Sequence, residues 1–122
     1  TWTTPVTLYG RVLVFGGGTF TYSGTAEPAI ALGNSTLRGA SWQQTAITSA
    51  TVTGMVGVAT LPLQHAISVQ DITIDSTGTA GLPLVSLGRS YVGAVAKQVQ
   101  FRLHGQVVPA LYVGGTNWGQ FL

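Results

Sequence analysis

The stretch VAKQVQFRLH, residues 95–104, indicates the fold class of this chain most directly. Apolar and polar side chains alternate along its second half, at Val99, Gln100, Phe101, Arg102 and Leu103. Alternation with a period of two places one side of a β-strand in a core and the other side in solvent. We therefore expect a half-buried strand in this stretch.

A period of two recurs along most of the chain. It predicts further strands near residues 6–15, 19–23, 37–42, 46–53, 55–61, 66–74, 84–87 and 107–113. Clusters of turn-forming residues separate them, and no window of 11 or more residues carries a helical stripe. No repeat of fixed period is visible. Short strands at this spacing predict an all-β fold, an antiparallel β-sandwich of about eight to nine strands or a small barrel, and we adopt the sandwich.

The composition favours association between copies of the chain. Only 7% of the 122 residues are charged, against about 25% in an average soluble domain. Polar surface comes instead from 17 Thr, 8 Ser and 8 Gln. Because so few charges protect an apolar monomer against association, we expect part of the surface to be buried against other copies.

Nucleic acid and membranes are disfavoured as partners. The five basic residues are spread along the chain, without the clustering that phosphate contacts require, so we expect no nucleic-acid binding. The longest apolar stretch free of charge, residues 55–63, is far shorter than the roughly 20 residues of a membrane-spanning helix. We therefore expect no membrane insertion.

The titratable residues form no recognisable catalytic or metal-binding set. The chain has no cysteine, so thiolate ligands and thiol nucleophiles are excluded. On one strand, Asp71 and Asp75 would lie about 13 Å apart, farther than the carboxylate pairs of glycosidases, and we expect Asp75 to open a turn. Three zinc ligands are hard to gather from such scattered residues. We expect no enzyme, no cofactor and no metal.

The first residues carry a resemblance to a known family. Trp2, Thr3, Thr4 and Pro5 form a segment that resembles the Trp-Thr-Thr-Pro junction between shaft and head in adenovirus-type fibre proteins. The resemblance implies a C-terminal head, or knob, domain of a minimal non-mammalian form. Residues 1–5 would end the shaft or form a hinge, and residues 6–122 would be a single β-sandwich head. It further implies a homotrimer on the virion surface, assembled in the host cell, and in its nucleus if the virus is an adenovirus.

We accordingly expect a trimeric viral fibre head that attaches the virion to a host cell-surface receptor, protein or glycan, without catalysis. Two alternatives stay open. One is a phage tail-fibre or reovirus-like receptor-binding tip or a lectin-like carbohydrate-binding module, and the other is a purely structural trimerisation or capsid decoration domain. Trp42 and Trp118 either cap the core or serve as stacking platforms and interface anchors. The candidate receptor-binding residues are Trp42, Trp118, Asn117, Arg38 and Arg89.

Overall fold

In the computed structural model the chain forms parallel β-strands that stack into a solenoid. The structure describes residues 1–59, 66–79, 81–87, 93–113 and 119–121. Within these residues there are twelve strands, and every pairing between them is parallel. In the same ranges no helix has the length and apolar character needed to cross a membrane.

The strands form three stacks along the solenoid. The first stack contains β1 (Val6–Tyr9), β4 (Ile30–Gly33), β7 (Val56–Val58), β9 (Val85–Ser86) and β11 (Leu111–Tyr112). The second contains β2 (Val12–Val14), β5 (Thr36–Arg38), the first halves of β8 (Ala66–Ser76) and β10 (Gly93–Leu103), and β12 (Gly119–Phe121). The third contains β3 (Gly18–Tyr22), β6 (Thr45–Ser49) and the second halves of β8 and β10.

Strands β8 and β10 belong to two stacks because each bends in its middle. The backbone φ is 55° at Asp71 and 53° at Gln98, a left-handed conformation that is uncommon for residues other than glycine. Both residues fall between paired positions of the two strands. The bends therefore lie one above the other, and each turns its strand from the second stack into the third.

The interval at which the chain returns to a stack differs between stacks. In the first stack Val6 pairs with Ile30, and Val56 pairs with Val85. The second pair is separated by more residues in the sequence than the first. In the third stack the interval is constant, because the paired positions of β3, β6, β8 and β10 are evenly spaced in sequence. The loops of the other stacks have unequal lengths, and the side chains at the evenly spaced positions differ. Both features hide the repeat from a search along the sequence.

Apolar side chains fill the interior in columns that run from turn to turn. Parallel register places Phe20, Ile47, Ile74 and Phe101 directly above one another. Ile47 and Ile74 are fully buried. Because adjacent strands are about 4.8 Å apart, each side chain of the column contacts the one in the next turn. The core is therefore continuous along the solenoid axis.

An aromatic cluster lies at the end of the solenoid formed by the first turn. The ring of Trp2 lies 5.3 Å from that of Tyr22 and 6.2 Å from that of Phe15, between ring centroids. The backbone N–H of Trp2 donates to the carbonyl oxygen of Thr21 at 2.9 Å. The first residues thus pack on the first turn. The division into a segment 1–5 and a head domain 6–122 stays a prediction.

The chain is all-β, as expected, but the predicted antiparallel β-sandwich is wrong. Side chains of half-buried strands alternate in the same way whichever direction the neighbouring strand runs, so the alternation carried no information on pairing. The segment 6–15 is two strands, β1 and β2, separated at Gly10, whose φ is 63°. The turn after β2 leads the chain to β3 in the next stack, whereas a hairpin turn would fold the chain back beside β2. Strand β4 fell outside the predicted strands.

A pair of introduced cysteines tests the parallel register. Thr21 and Thr48 are paired in β3 and β6, and neighbouring strands are about 4.8 Å apart, within the Cα separations of roughly 4.4–6.8 Å that disulfides bridge. We expect Thr21→Cys combined with Thr48→Cys to form a disulfide on mild oxidation, measured by mass spectrometry. The chain has no other cysteine. Thr21→Cys with Asp75→Cys, separated by β6, is the control, and equal bridging of both pairs would contradict the register.

Candidate functional site

A loop of the second turn, residues 39–44, forms the corner between β5 in the second stack and β6 in the third stack. In the next two turns the same corner is made by the single residues Asp71 and Gln98. The longer loop carries Trp42, which is 39% exposed. An indole is thereby placed on the lateral surface of the solenoid.

Hydrogen bonds to neighbouring turns hold this loop in place. Thr45 is its main anchor, because its hydroxyl donates to the carbonyl oxygen of Gly16 at 2.8 Å and accepts from the backbone N–H of Ala40 at 3.0 Å. The Thr73 hydroxyl donates to the Trp42 carbonyl oxygen at 2.6 Å. A loop fixed in this way loses little conformational freedom when a ligand binds to it.

Two open grooves flank Trp42. The larger has a volume of about 420 Å³, and its described lining consists of Gly18, Thr19, Trp42, Gln43, Gln44, Thr45, Ala46, Thr73, Gln100 and Arg102. The smaller has a volume of about 190 Å³ and is lined by Trp42, Gln98, Val99 and Gln100. We call the surface formed by these two grooves and Trp42 the Trp42 face.

Gln100 connects the two grooves, since it lines both. Its side-chain carbonyl oxygen lies 3.1 Å from the Thr73 hydroxyl, whose single hydrogen is donated to the closer Trp42 carbonyl oxygen. A carboxamide offers donors at nitrogen and an acceptor at oxygen. With Gln44 and Gln98 it gives the Trp42 face groups that both donate and accept hydrogen bonds.

A charged cluster borders the larger groove. The Asp75 carboxylate accepts a hydrogen bond from Nε2 of the His104 ring at 2.7 Å. Its other oxygen is 3.9 Å from an Arg102 guanidinium nitrogen. Asp75 therefore lies inside β8 and bonds across to β10, whereas the sequence predicted that it would open a turn.

Trp42 differs from most of the other exposed apolar side chains by its position in the solenoid. In the described part of the chain the large exposed hydrophobic residues are Tyr9, Val12, Val14, Trp42, Leu82, Val107, Tyr112 and Val113. The first three belong to the first turn and the last three follow β10, where a solenoid lacks a neighbouring turn on one side. Trp42 and Leu82 are exposed in turns that have neighbours on both sides, and Trp42 is the aromatic one of the two. An isolated aromatic residue in such a place favours a ligand contact.

The structure describes two of the five predicted receptor-binding residues, Trp42 and Arg38. Trp42 lies on the outer surface and does not cap the core. Arg38 ends β5, is exposed, and lines neither groove among their described residues. Trp118, Asn117 and Arg89 lie outside the described residues, so their candidacy stays a prediction.

Sequence reasoning missed the partners of Trp42. Gln100 and Arg102 were expected on the solvent side of their strand, which is where they lie. Their position beside Trp42 follows from the stacking of β6, β8 and β10. Nothing in the local sequence links residues so far apart.

Metal ligands are not gathered in the described ranges. No group of three or more His, Asp or Glu side chains within them is placed to hold a metal ion. The Asp75 and His104 pair has Arg102 as its third neighbour, and a guanidinium does not ligate a cation.

Gly39, at the start of the loop, is a position where only glycine fits. A Cβ there would lie 2.8 Å from Cβ of Thr45 and would overlap the Asp71 carbonyl oxygen. We expect Gly39→Ala to lower the free energy of unfolding by about 1–3 kcal/mol, measured by chemical denaturation. Gly16→Ala is the control, because no atom lies within 4 Å of its Cβ position. Equal stability of the two variants would contradict the close approach.

No protein-family model, curated protein sequence or solved structure matches the chain. The Trp42 face is therefore interpreted from its own geometry, and the family resemblance of residues 2–5 stays a prediction.

Proposed function

We propose that this protein is a carbohydrate-binding module and that a glycan chain binds along the Trp42 face. The observation that carries the proposal is an exposed indole, held by a hydrogen-bonded loop, between two grooves lined by amides and hydroxyls. Of the alternatives that the sequence left open, this is the lectin-like one. It involves binding without catalysis.

The side chains of the Trp42 face match the chemistry of sugars. A sugar ring has an apolar side formed by its C–H groups, and an indole offers a flat apolar partner of similar size. Sugar hydroxyls donate and accept hydrogen bonds, as do the carboxamides of Gln44, Gln98 and Gln100. Open, shallow grooves accommodate an extended, hydrated chain in which water bridges many of the contacts.

The scaffold favours such a ligand over a compact one. Gln98 and Gln100 lie on one strand, β10, whose backbone pairs with β8 on both sides of the bend at Gln98. Side chains on a rigid strand are held in position more accurately than side chains on a free loop. Trp42 and Gln100 line both grooves, so a chain of sugars along them contacts both grooves while a single sugar fills one.

Attachment to a host cell-surface receptor stays a proposal within this function. A glycan receptor would be bound by the Trp42 face, and several copies on one particle would gain effective affinity by engaging one surface together. The resemblance to adenovirus-type fibre heads implied an antiparallel sandwich. Because the strands form a parallel solenoid instead, the fold gives no support to receptor attachment through that resemblance. Location on the virion surface is likewise a proposal.

Substitution of Trp42 tests the proposal. We expect Trp42→Ala to weaken binding of a wild-type ligand, identified on a glycan array, at least tenfold, because the stacking surface is lost. Isothermal titration calorimetry measures the affinity. Trp fluorescence provides a second readout, since quenching by the ligand should disappear in the variant.

Tyr112→Ala is the matched control for this experiment. Tyr112 is an aromatic residue that is 50% exposed in the last strand of the first stack, away from the Trp42 face. We expect its removal to leave glycan binding unchanged. Wild-type affinity in Trp42→Ala, or the lack of any glycan ligand for the wild-type protein, would contradict the proposed function.

The predicted homotrimer is tested separately. Light scattering on the purified protein at micromolar concentration should give three times the mass of a single chain. A single-chain mass would refute the trimer and would leave glycan binding at the Trp42 face untouched, since that face lies within one chain.

A further inference from the structure

The charge of the Trp42 face indicates which class of glycan it takes. Among the described residues that line its two grooves, Arg102 is the one charged side chain, and none is acidic. The remaining polar lining consists of amides and hydroxyls. A ligand group bound against Arg102 therefore meets a positive charge, and no described carboxylate lines the same groove.

Arg102 is only partly neutralised by its neighbour Asp75. The distance between the guanidinium and the carboxylate is 3.9 Å, and the Arg102 side chain is 55% exposed. The other carboxylate oxygen is engaged by His104 at 2.7 Å. A guanidinium has five N–H donors, and no hydrogen bond within the described part of the chain occupies them. Arg102 therefore retains donors for a ligand.

A second cation of β10, Lys97, lies across the bend at Gln98 from Arg102, in the second stack. Lys97 precedes Gln98 on β10, is exposed, and pairs in register with Gln70. Asp71 lies at the bend of β8, one strand away, and is not among the lining residues of either groove. Lys97 likewise lines neither groove among the described residues, so Arg102 is the cation that a ligand in the grooves meets.

We propose that the glycan bound at the Trp42 face is acidic and that a sugar carboxylate pairs with Arg102. This inference rests on the proposed function and adds the substrate class to it. The planar guanidinium fork matches the two oxygens of a carboxylate in a bidentate pair, which is shorter and stronger than a neutral hydrogen bond. The sugar that follows the carboxylated one stacks on Trp42, and the next reaches Gln98 in the smaller groove.

Alginate oligosaccharides and their carboxyl-reduced counterparts test this inference, since they differ in the carboxylate and not in chain length. We expect the wild-type protein to bind the carboxylated chain at least tenfold more tightly than the reduced chain in calorimetry. Because exposed charges are screened by salt, the preference should shrink as salt is added, while affinity for the reduced chain stays constant.

Substitutions of Arg102 test whether this residue causes the preference for the carboxylated chain. Arg102→Gln should bind both chains with the affinity that wild type has for the reduced chain, and Arg102→Lys should keep part of the preference because it keeps the charge and loses the fork. Arg11→Gln is the matched control, since Arg11 is an exposed arginine of the first turn and lines neither groove. We expect it to bind as wild type does. Thermal unfolding of each variant confirms that it is folded.

Three outcomes would overturn the inference. Equal wild-type affinity for the two chains would show that the site does not prefer acidic glycans, and the proposed carbohydrate binding would be unaffected. If Arg102→Gln still preferred the carboxylated chain, the sugar carboxylate would bind at a residue other than Arg102. Tighter binding of dextran sulfate than of alginate would assign the site to anions in general. If neither chain nor any other glycan binds, the proposed function itself fails.

Discussion

Stacking of apolar side chains between successive turns is the interaction on which the structure depends. Because β3, β6, β8 and β10 pair in parallel register, Ile47 lies on Ile74, and both are fully buried. Each such side chain contributes about 1.5–3 kcal/mol relative to its exposed state. An inner turn is covered on two sides and a terminal turn on one, which explains why most exposed hydrophobic residues belong to the terminal turns.

This arrangement leaves the corners between strands free to vary. The core requires only that inward side chains return to the same columns, so the segment between two strands can lengthen without disturbing the register. At one corner the chain uses the single residues Asp71 and Gln98 in two turns and the loop 39–44 in another. Trp42, the central residue of the proposed binding surface, lies on this longer loop, and the strands beneath it carry Gln98, Gln100 and Arg102.

The outer surface of the solenoid is polar although the chain has few charged residues. Outward positions of the third stack carry hydroxyls, among them Thr19, Thr21 and Thr48. Such a surface is polar without being charged, which reduces the force of the compositional argument for burial between copies. Against this background Arg102 is the one charged side chain in the described lining of the two grooves, and Asp75 beside it neutralises its charge only in part.

Much of the site followed from local sequence. The alternation along residues 95–104 placed Gln100 and Arg102 on the solvent side of a strand, and Trp42 stood out as a binding candidate. Their meeting at one face did not follow, since Trp42 is far from Gln100 in sequence and three strands must stack to join them. Arg38 is near Trp42 in sequence, yet the described groove linings do not include it.

The sequence by itself determined that the chain is built of half-buried strands, because a period of two is a property of each strand alone. Only the tertiary structure decided that these strands pair in parallel. Pairing direction depends on where the chain travels between strands, and the turn residues here lead to the next stack, at intervals that differ from turn to turn in the first stack. The same path, and not any local motif, brings Trp42, Gln100 and Arg102 together.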